Sequence, residues 1–303
     1  MPTLVLLALA GFGAQLVDGA LGMGYGVTST TLLLIAGLGP AAASASVHLA
    51  KIGTALASGY AHWRFGNVDW KLVGRLGVPG AIGALLGALL LSHLSAQAAA
   101  PLMAGLLIVI GAFILIKYAV AAPPEATART SPHGRRFLTP LGFVGGFVDA
   151  TGGGGWGPVS TASLLTAGRT APRTVIGSVS TSEFLVTVAA SLGFVIGLGG
   201  AGIDWLAVAG LVVGGMLAAP LAAWLVTKLP AAVLGAAVGG LIVLTNARTM
   251  FAAVGVAGSP RIAAYVVIAV VWLVLVGMAV RRVRVARRSA PAEEPAVEEQ
   301  RAA

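Results

Sequence analysis

GAQLVDGALGMGYGVTSTTLLLIAGL, residues 13–38, sets an aspartate and closely spaced glycines inside a stretch otherwise apolar enough for a bilayer. Nearly the same phrase returns as GGFVDATGGGGWGPVSTASLLTAGR, residues 145–169. At an offset of 131 the two copies place Gly11-Phe12 on Gly142-Phe143, Asp18 on Asp149, Gly22 on Gly153, Gly24 on Gly155, Tyr25 on Trp156, Gly26 on Gly157, and Ser29-Thr30 on Ser160-Thr161. Small insertions later, the match continues with Ser46-Val47 on Ser178-Val179, Lys51 on Glu183, Asp69-Trp70 on Asp204-Trp205, and Gly105-Leu106 on Gly240-Leu241. The chain is an internal duplication, and repeats govern the reading of everything around them.

The surroundings are those of a membrane. Of 303 residues 57% are hydrophobic and 10% charged, with mean hydropathy +0.94, whereas a soluble domain is about a quarter charged. A hydrocarbon core of about 30 Å needs roughly 20 apolar helical residues per crossing. The runs 41–63, 70–92, 99–119, 173–197, 204–228, 232–251 and 262–281 meet that length. Two further stretches, 3–37 and 137–167, are too long for one straight helix and carry the glycine clusters at their centres. The sequence therefore predicts an all-α polytopic membrane protein. Residues 1–119 form a first repeat, 120–136 a cytoplasmic linker, 137–251 a second repeat, 252–281 an additional transmembrane helix, and 282–303 a disordered cytoplasmic tail. The start, MPTLVLLALAGFGA, lacks the basic flank of a signal peptide, and its continuation recurs at 142, so it is expected to belong to the mature fold.

Absence of cysteine excludes disulfides and thiolate metal sites. The net charge of +9 comes with no aromatic-basic nucleic-acid motif, and most basic residues flank apolar spans. Their distribution sets the topology. If each broken stretch is a hairpin, one side collects Arg64, Lys71, Arg75, Lys117, Arg129, Arg135, Arg136, Arg169, Arg173, Lys228 and the five arginines from 281 to 288, and the other only Arg248 and Arg261. If the stretches cross, the same residues divide almost evenly. The positive-inside rule selects the hairpins, with the N-terminus outside and the C-terminus in the cytoplasm. Each half is then a glycine-broken helical hairpin plus three transmembrane helices, and the odd number of crossings inverts one half relative to the other. Inverted repeats with interrupted helices at matching positions point to a secondary transporter and to its binding site.

Non-helical backbone cannot face lipid, so the glycine tips, residues 19–26 and 152–157, must line a cavity or be buried in protein. Each tip is expected to aim the N-terminal end of a half-helix, with free N–H groups and partial positive charge, at the middle of the protein. Pro158 suits the first turn of the second half-helix. The expected anion contacts are Gly22, Gly24, Tyr25, Gly26, Gly153, Gly154, Gly155 and Trp156, with hydroxyls at Ser29, Thr30, Ser160, Thr161 and Ser180. Glycines elsewhere, such as Gly83/Gly87, Gly210/Gly214 and Gly235/Gly239, fit close helix packing. GGGGWGP lacks the Lys-Ser/Thr that completes a nucleotide loop.

Lys51 and Glu183 sit mid-helix at equivalent positions, where an ionisable side chain needs a cavity or a partner. Two readings stand: Lys51 anchors an anion while Glu183 carries a proton, or the two form an ion pair locking the halves together. Asp18 and Asp149 precede the breaks, where a carboxylate caps turn N–H groups or binds a coupling proton or cation. His48 lies one turn before Lys51 and is either a hydrogen-bonded core histidine or part of this charged group. Asp69-Trp70 and Asp204-Trp205 read as helix caps with interfacial anchors. Ser180, Ser182 and His48 make no arrangement with catalytic spacing, so an enzyme is not indicated and no cofactor is expected.

DGALGMGYGVTSTTLLL, SASVHLAKIGTALASG with HWRFGNVDW, VDATGGGGWGPVSTASLL and VIGSVSTSEF, in that order, resemble the TauE/SafE sulfite-exporter family, also described as the toluene-sulfonate uptake permeases, over about residues 5–250. The resemblance implies a bacterial inner-membrane carrier of small sulfur-containing anions, such as sulfite, sulfoacetate or other organosulfonates, working in export and coupled to an ion gradient. In that family an acidic residue is common where this chain has Lys51, so no proton-coupling role carries over to that position; Glu183 keeps the acidic type. Helix ends, glycine amides, hydroxyls and Lys51 suggest an anion from the residues themselves; sulfur comes from the resemblance alone. An anion channel built on the same tips is the alternative.

Overall fold

The computed structural model describes residues 2–21, 23–120, 133–167, 169–225 and 230–289. They form helices joined by short turns: α1 (Pro2–Leu21), α2 (Tyr25–Ile35), α3 (Pro40–Arg64), α4 (Trp70–His93), α5 (Ala96–Val120) and α6 (Arg135–Gly152). A π-helical turn, Gly157–Thr161, leads into α7 (Ala162–Ala167), and α8 (Pro172–Leu198), α9 (Trp205–Leu225), α10 (Ala231–Ala253) and α11 (Gly258–Ser289) follow. Among the described residues five helices, α4, α5, α8, α10 and α11, are long and apolar enough to cross a bilayer. The 25-residue α3 has the length, but its polar residues, His48 and Lys51 among them, are turned inward and lower its mean hydropathy. The protein is an all-helical polytopic membrane protein.

Helix starts follow local chemistry. The Asp69 carboxylate accepts hydrogen bonds from the Lys71 and Leu72 N–H groups at 2.8 and 3.2 Å, capping α4. Asp204 does the same for the Ala207 N–H at 2.8 Å, at the head of α9. These satisfy first-turn donors that a helix cannot bond internally.

Both glycine-broken stretches double back. A methyl built on Gly13 would meet the Leu32 side chain at 3.8 Å, and the Asp18 carboxylate bonds the Tyr25 N–H. In one continuous helix residues 13 and 32 would be about 28 Å apart. In the second copy Gly145 faces Ser160 and Trp156, and Asp149 bonds Trp156.

The hairpins exchange partners between the two halves of the chain. α1 lies along α9, with Gly11 against Leu211 and Gly210 and Gly214 against Leu7 and Ala8; α6 lies along α4, with Gly142 against Leu76 and Gly146 against Gly80. Glycine at these points lets backbones touch, and such close packing holds helices together where lipid supplies no hydrophobic drive. The α4–α6 contacts advance together, Leu76 with Gly142, Gly80 with Gly146, and Gly87 with Phe147 and Ala150, so these helices run in the same direction. α4 and α8 also run together, Gly77 on Ser182 and Ala88 on Gly193. α3 and α8 run oppositely, with His48 against Phe194 and Asn67 against Gly177, as do α5 and α10, with Gly111 on Gly239 and Tyr118 on Gly235. α11 lies at the periphery, held to α10 by a Trp272 Nε1 hydrogen bond to the Ala236 carbonyl at 3.2 Å and by the Phe251–Tyr265 ring contact.

Two features differ from the sequence expectation. α11 does not stop at 281 but continues to Ser289; arginine is a good helix former and a cation favours a helix C-terminus. The second half-helix opens as a π turn over Gly157–Thr161, where Pro158 has no N–H to give to an α-type bond. Most of the 120–136 linker and the tail beyond 289 lie outside the described residues.

Candidate functional site

The site begins with two aspartates. Gly24, at φ 119°, opens α2 in a left-handed conformation that suits glycine, and Asp18 Oδ1 accepts the Tyr25 N–H at 3.0 Å. Gly153, at φ 71°, ends α6 in the same manner; Asp149 Oδ1 accepts the Gly155 and Trp156 N–H groups at 2.7 and 2.9 Å. The carboxylates thus occupy amides that the sequence suggested were free for an anion. Gly22 lies outside the described residues.

The two tips touch. Thr30 Oγ1 donates to the Gly153 carbonyl at 2.6 Å, and a Cβ on Gly26 would fall 2.6 Å from the Gly154 Cα. Each tip is anchored by the aromatic residue after its break. The fully buried Trp156 donates through Nε1 to the Val179 carbonyl of α8 at 3.1 Å, and Tyr25 Oη donates to the Leu211 carbonyl of α9 at 3.3 Å. Ser29 Oγ donates back to the Tyr25 carbonyl at 2.5 Å. Ser160 and Thr28 are buried hydroxyls with no hydrogen-bond partner among the described residues.

Beside the joined tips lies a cavity of about 180 Å³. Of the residues singled out from the sequence, Asp18, Gly24, Tyr25, Gly26, Lys51, Asp149, Gly154, Gly155, Trp156, Thr161, Ser180 and Glu183 line it. Ser29, Thr30, Gly153 and His48 are not on the lining but hold the tips through hydrogen bonds, and Ser160 is buried off the lining. Sequence reasoning missed Gln15, Thr54, Ser58 and His62, which also reach the cavity. The signal was present: Lys51, Thr54, Ser58 and His62 recur at helical spacing along one polar face of α3, and Gln15 precedes Asp18 by one turn of α1.

Across the cavity Lys51 Nζ donates to Glu183 Oε1 at 2.5 Å, the two side chains 9% and 23% exposed. His48 and Asp149 form a second contact, Nε2 to Oδ2 at 3.1 Å, with both side chains at 0% exposure. The imidazole's other nitrogen faces the Ser44 carbonyl at 2.8 Å. A carbonyl only accepts, so Nδ1 carries a hydrogen. The Nε2–Oδ2 contact then needs one more proton, on either partner, since a lone pair facing a carboxylate oxygen would repel it. His48 and Asp149 together are therefore neutral, as Lys51 and Glu183 are together. Asp18 differs from Asp149: its one hydrogen-bond donor among the described residues is the Tyr25 N–H, and the position matching His48 holds Ser180.

No group of three or more candidate ligands that could hold a metal ion occurs among the described residues. The protein is similar to the "Probable membrane transporter protein YtnM" of Bacillus subtilis (strain 168), 49% identical over 250 residues, 82% of this chain and 83% of that one. No solved structure matches. The family profile described as "Sulfite exporter TauE/SafE" matches residues 7–249. A match over so much of the chain, together with the fold, shows that this membrane protein belongs to the TauE/SafE sulfite-exporter family of membrane transporters.

Proposed function

We propose that this protein is a secondary transporter exporting small sulfur-containing oxyanions, sulfite or organosulfonates, across the bacterial inner membrane, with the N-terminus outside and the C-terminus in the cytoplasm. The observation that carries the reading is a cavity walled by both hairpin tips and by Lys51. Its volume of about 180 Å³ equals roughly six waters at ~30 Å³ each, room for a small anion with a partial water shell. Lys51 supplies the positive charge, Thr161 and Ser180 the hydroxyl donors.

Alternating access needs two halves that exchange roles. The direction of packing supports an inverted pair: α1 pairs with α9 as α6 pairs with α4, and the α3–α8 and α5–α10 contacts each join equivalent helices running oppositely. With the tips in contact at Gly26 and Gly154, rocking of one half against the other would pivot beside the bound anion.

The test is flux of sulfite and of a sulfonate in proteoliposomes, wild type against Gly154→Val. The new side chain would run into the Gly26–Val27 backbone, so transport should be lost while the protein still inserts. Saturation and counterflow in the wild type mark a carrier. Unaltered flux in the variant, or flux linear in the gradient without counterflow, overturns the proposal.

A further inference from the structure

We propose that Asp18 is the proton-binding group of this transporter: an anion occupies the cavity together with one proton on the Asp18 carboxylate, and the two cross together. The inference rests on the anion reading above and adds the coupling ion and its residue.

It follows from the charges around the cavity. His48 with Asp149 is neutral, Lys51 with Glu183 is neutral, and among the described residues Asp18 remains as one carboxylate with no ion pair of its own. The groups facing it are Lys51 on α3, Glu183 on α8, Tyr25 on α2 and Tyr118 on α5. Lys117 of α5 reaches Met23 beside the tip, and Asp149 of α6 and His62 of α3 share the cavity wall. α9, packed along α1, carries no ionisable side chain, and Arg248 of α10 lies by Ile35, at the far end of α2. Lys51, the cation whose charge acts on Asp18, is already engaged by Glu183. An anion entering this space meets an uncompensated negative charge, which a proton on Asp18 removes. The carboxylate takes up the proton as the anion binds and returns it on release, and no other bond changes.

The duplication explains why the task falls to Asp18. The equivalent Asp149 is sealed, capping two amides and joined to His48. Asp18 caps one amide, lines the cavity, and faces a half-chain with Ser180 where the other has His48. Protonating it also weakens the cap on the first tip while leaving the second intact, so the two tips respond differently to the same proton.

The experiment uses full-length purified protein and methanesulfonate and sulfate, anions whose charge does not change near neutral pH. Binding is measured across pH, and proton uptake is followed with an indicator dye in weak buffer. For the wild type, affinity should fall about tenfold per pH unit above the titration of Asp18, with about one proton taken up per anion bound. Asp18→Asn should bind with affinity independent of pH and take up no proton. Ser180→His, which puts a histidine on the cavity wall at the position matching His48, should reduce the protons taken up per anion bound, a ratio that weaker anion binding alone does not change, and it decides the matter if Asp18→Asn does not fold. Wild-type binding without proton uptake, or the full wild-type slope in either variant, overturns the inference and leaves the anion reading standing. Taurine binding more tightly than methanesulfonate without proton uptake also overturns it, because Asp18 would then be meeting the ligand's ammonium. If neither oxyanion binds at any pH, the anion reading itself falls.

Discussion

Replacing Asp149 separates its two jobs. Asp149→Ala leaves the Gly155 and Trp156 N–H groups, which it accepts at 2.7 and 2.9 Å, buried without partners. At about 1–3 kcal/mol for each orphaned donor the loss is about 2–6 kcal/mol. Asp149→Asn should be nearly silent for stability. The amide oxygen still accepts both N–H groups, and its NH2 can donate to His48 Nε2, which is free to accept once the imidazole is neutral with its hydrogen on Nδ1 toward Ser44. The expected cost is within about 1 kcal/mol. Asp18→Ala orphans one N–H and should lie between them, at about 1–2 kcal/mol, because Asp18 is partly exposed. Thermal midpoints of the purified variants in one detergent should rank Asp149→Ala lowest, then Asp18→Ala, with Asp149→Asn close to wild type. If Asp149→Asn falls as far as Asp149→Ala, the proton placement in the His48–Asp149 pair is wrong; if Asp18→Ala costs as much as Asp149→Ala, the asymmetry between the two caps is wrong.

Glu183→Gln should cost about 1–2 kcal/mol, less than a sealed ion pair because the glutamate is 23% exposed, and Lys51→Met should abolish anion binding in the same titration while the protein remains inserted. Thr30→Val removes the 2.6 Å hydrogen bond to Gly153 between the tips for about 1–2 kcal/mol; hydrogen exchange should quicken around residues 23–30 and 153–158 and not in α11, and uniform protection would count against a tip-to-tip contact.

The spans were legible because burial in lipid leaves a compositional mark. Predicted 41–63, 70–92 and 173–197 became Pro40–Arg64, Trp70–His93 and Pro172–Leu198. The hairpins were legible because glycine is avoided in helix interiors unless backbone must turn or touch, and the caps because a carboxylate just before a break reaches the turn N–H groups. What the sequence could not display are pairings far apart in the chain: Thr30 on Gly153, His48 on Asp149, the exchange of α1 and α6 between halves. Repeat alignment matched Asp18 with Asp149 and His48 with Ser180, yet only three-dimensional packing showed that His48 bonds Asp149. The amides expected to be free were partly taken because the capping carboxylates sit close enough to bond them, a distance no spacing rule sets.

The most direct test of the account is the sidedness of the first hairpin. The chain has no cysteine, so single cysteines at Thr3 and Leu38 can be labelled in intact cells with a membrane-impermeant maleimide. A re-entrant hairpin places both on the outer face, and both should label from outside. Labelling of Thr3 and Leu38 from opposite faces would mean that residues 3–37 cross the bilayer, and would contradict the paired-tip site on which the proposed function stands.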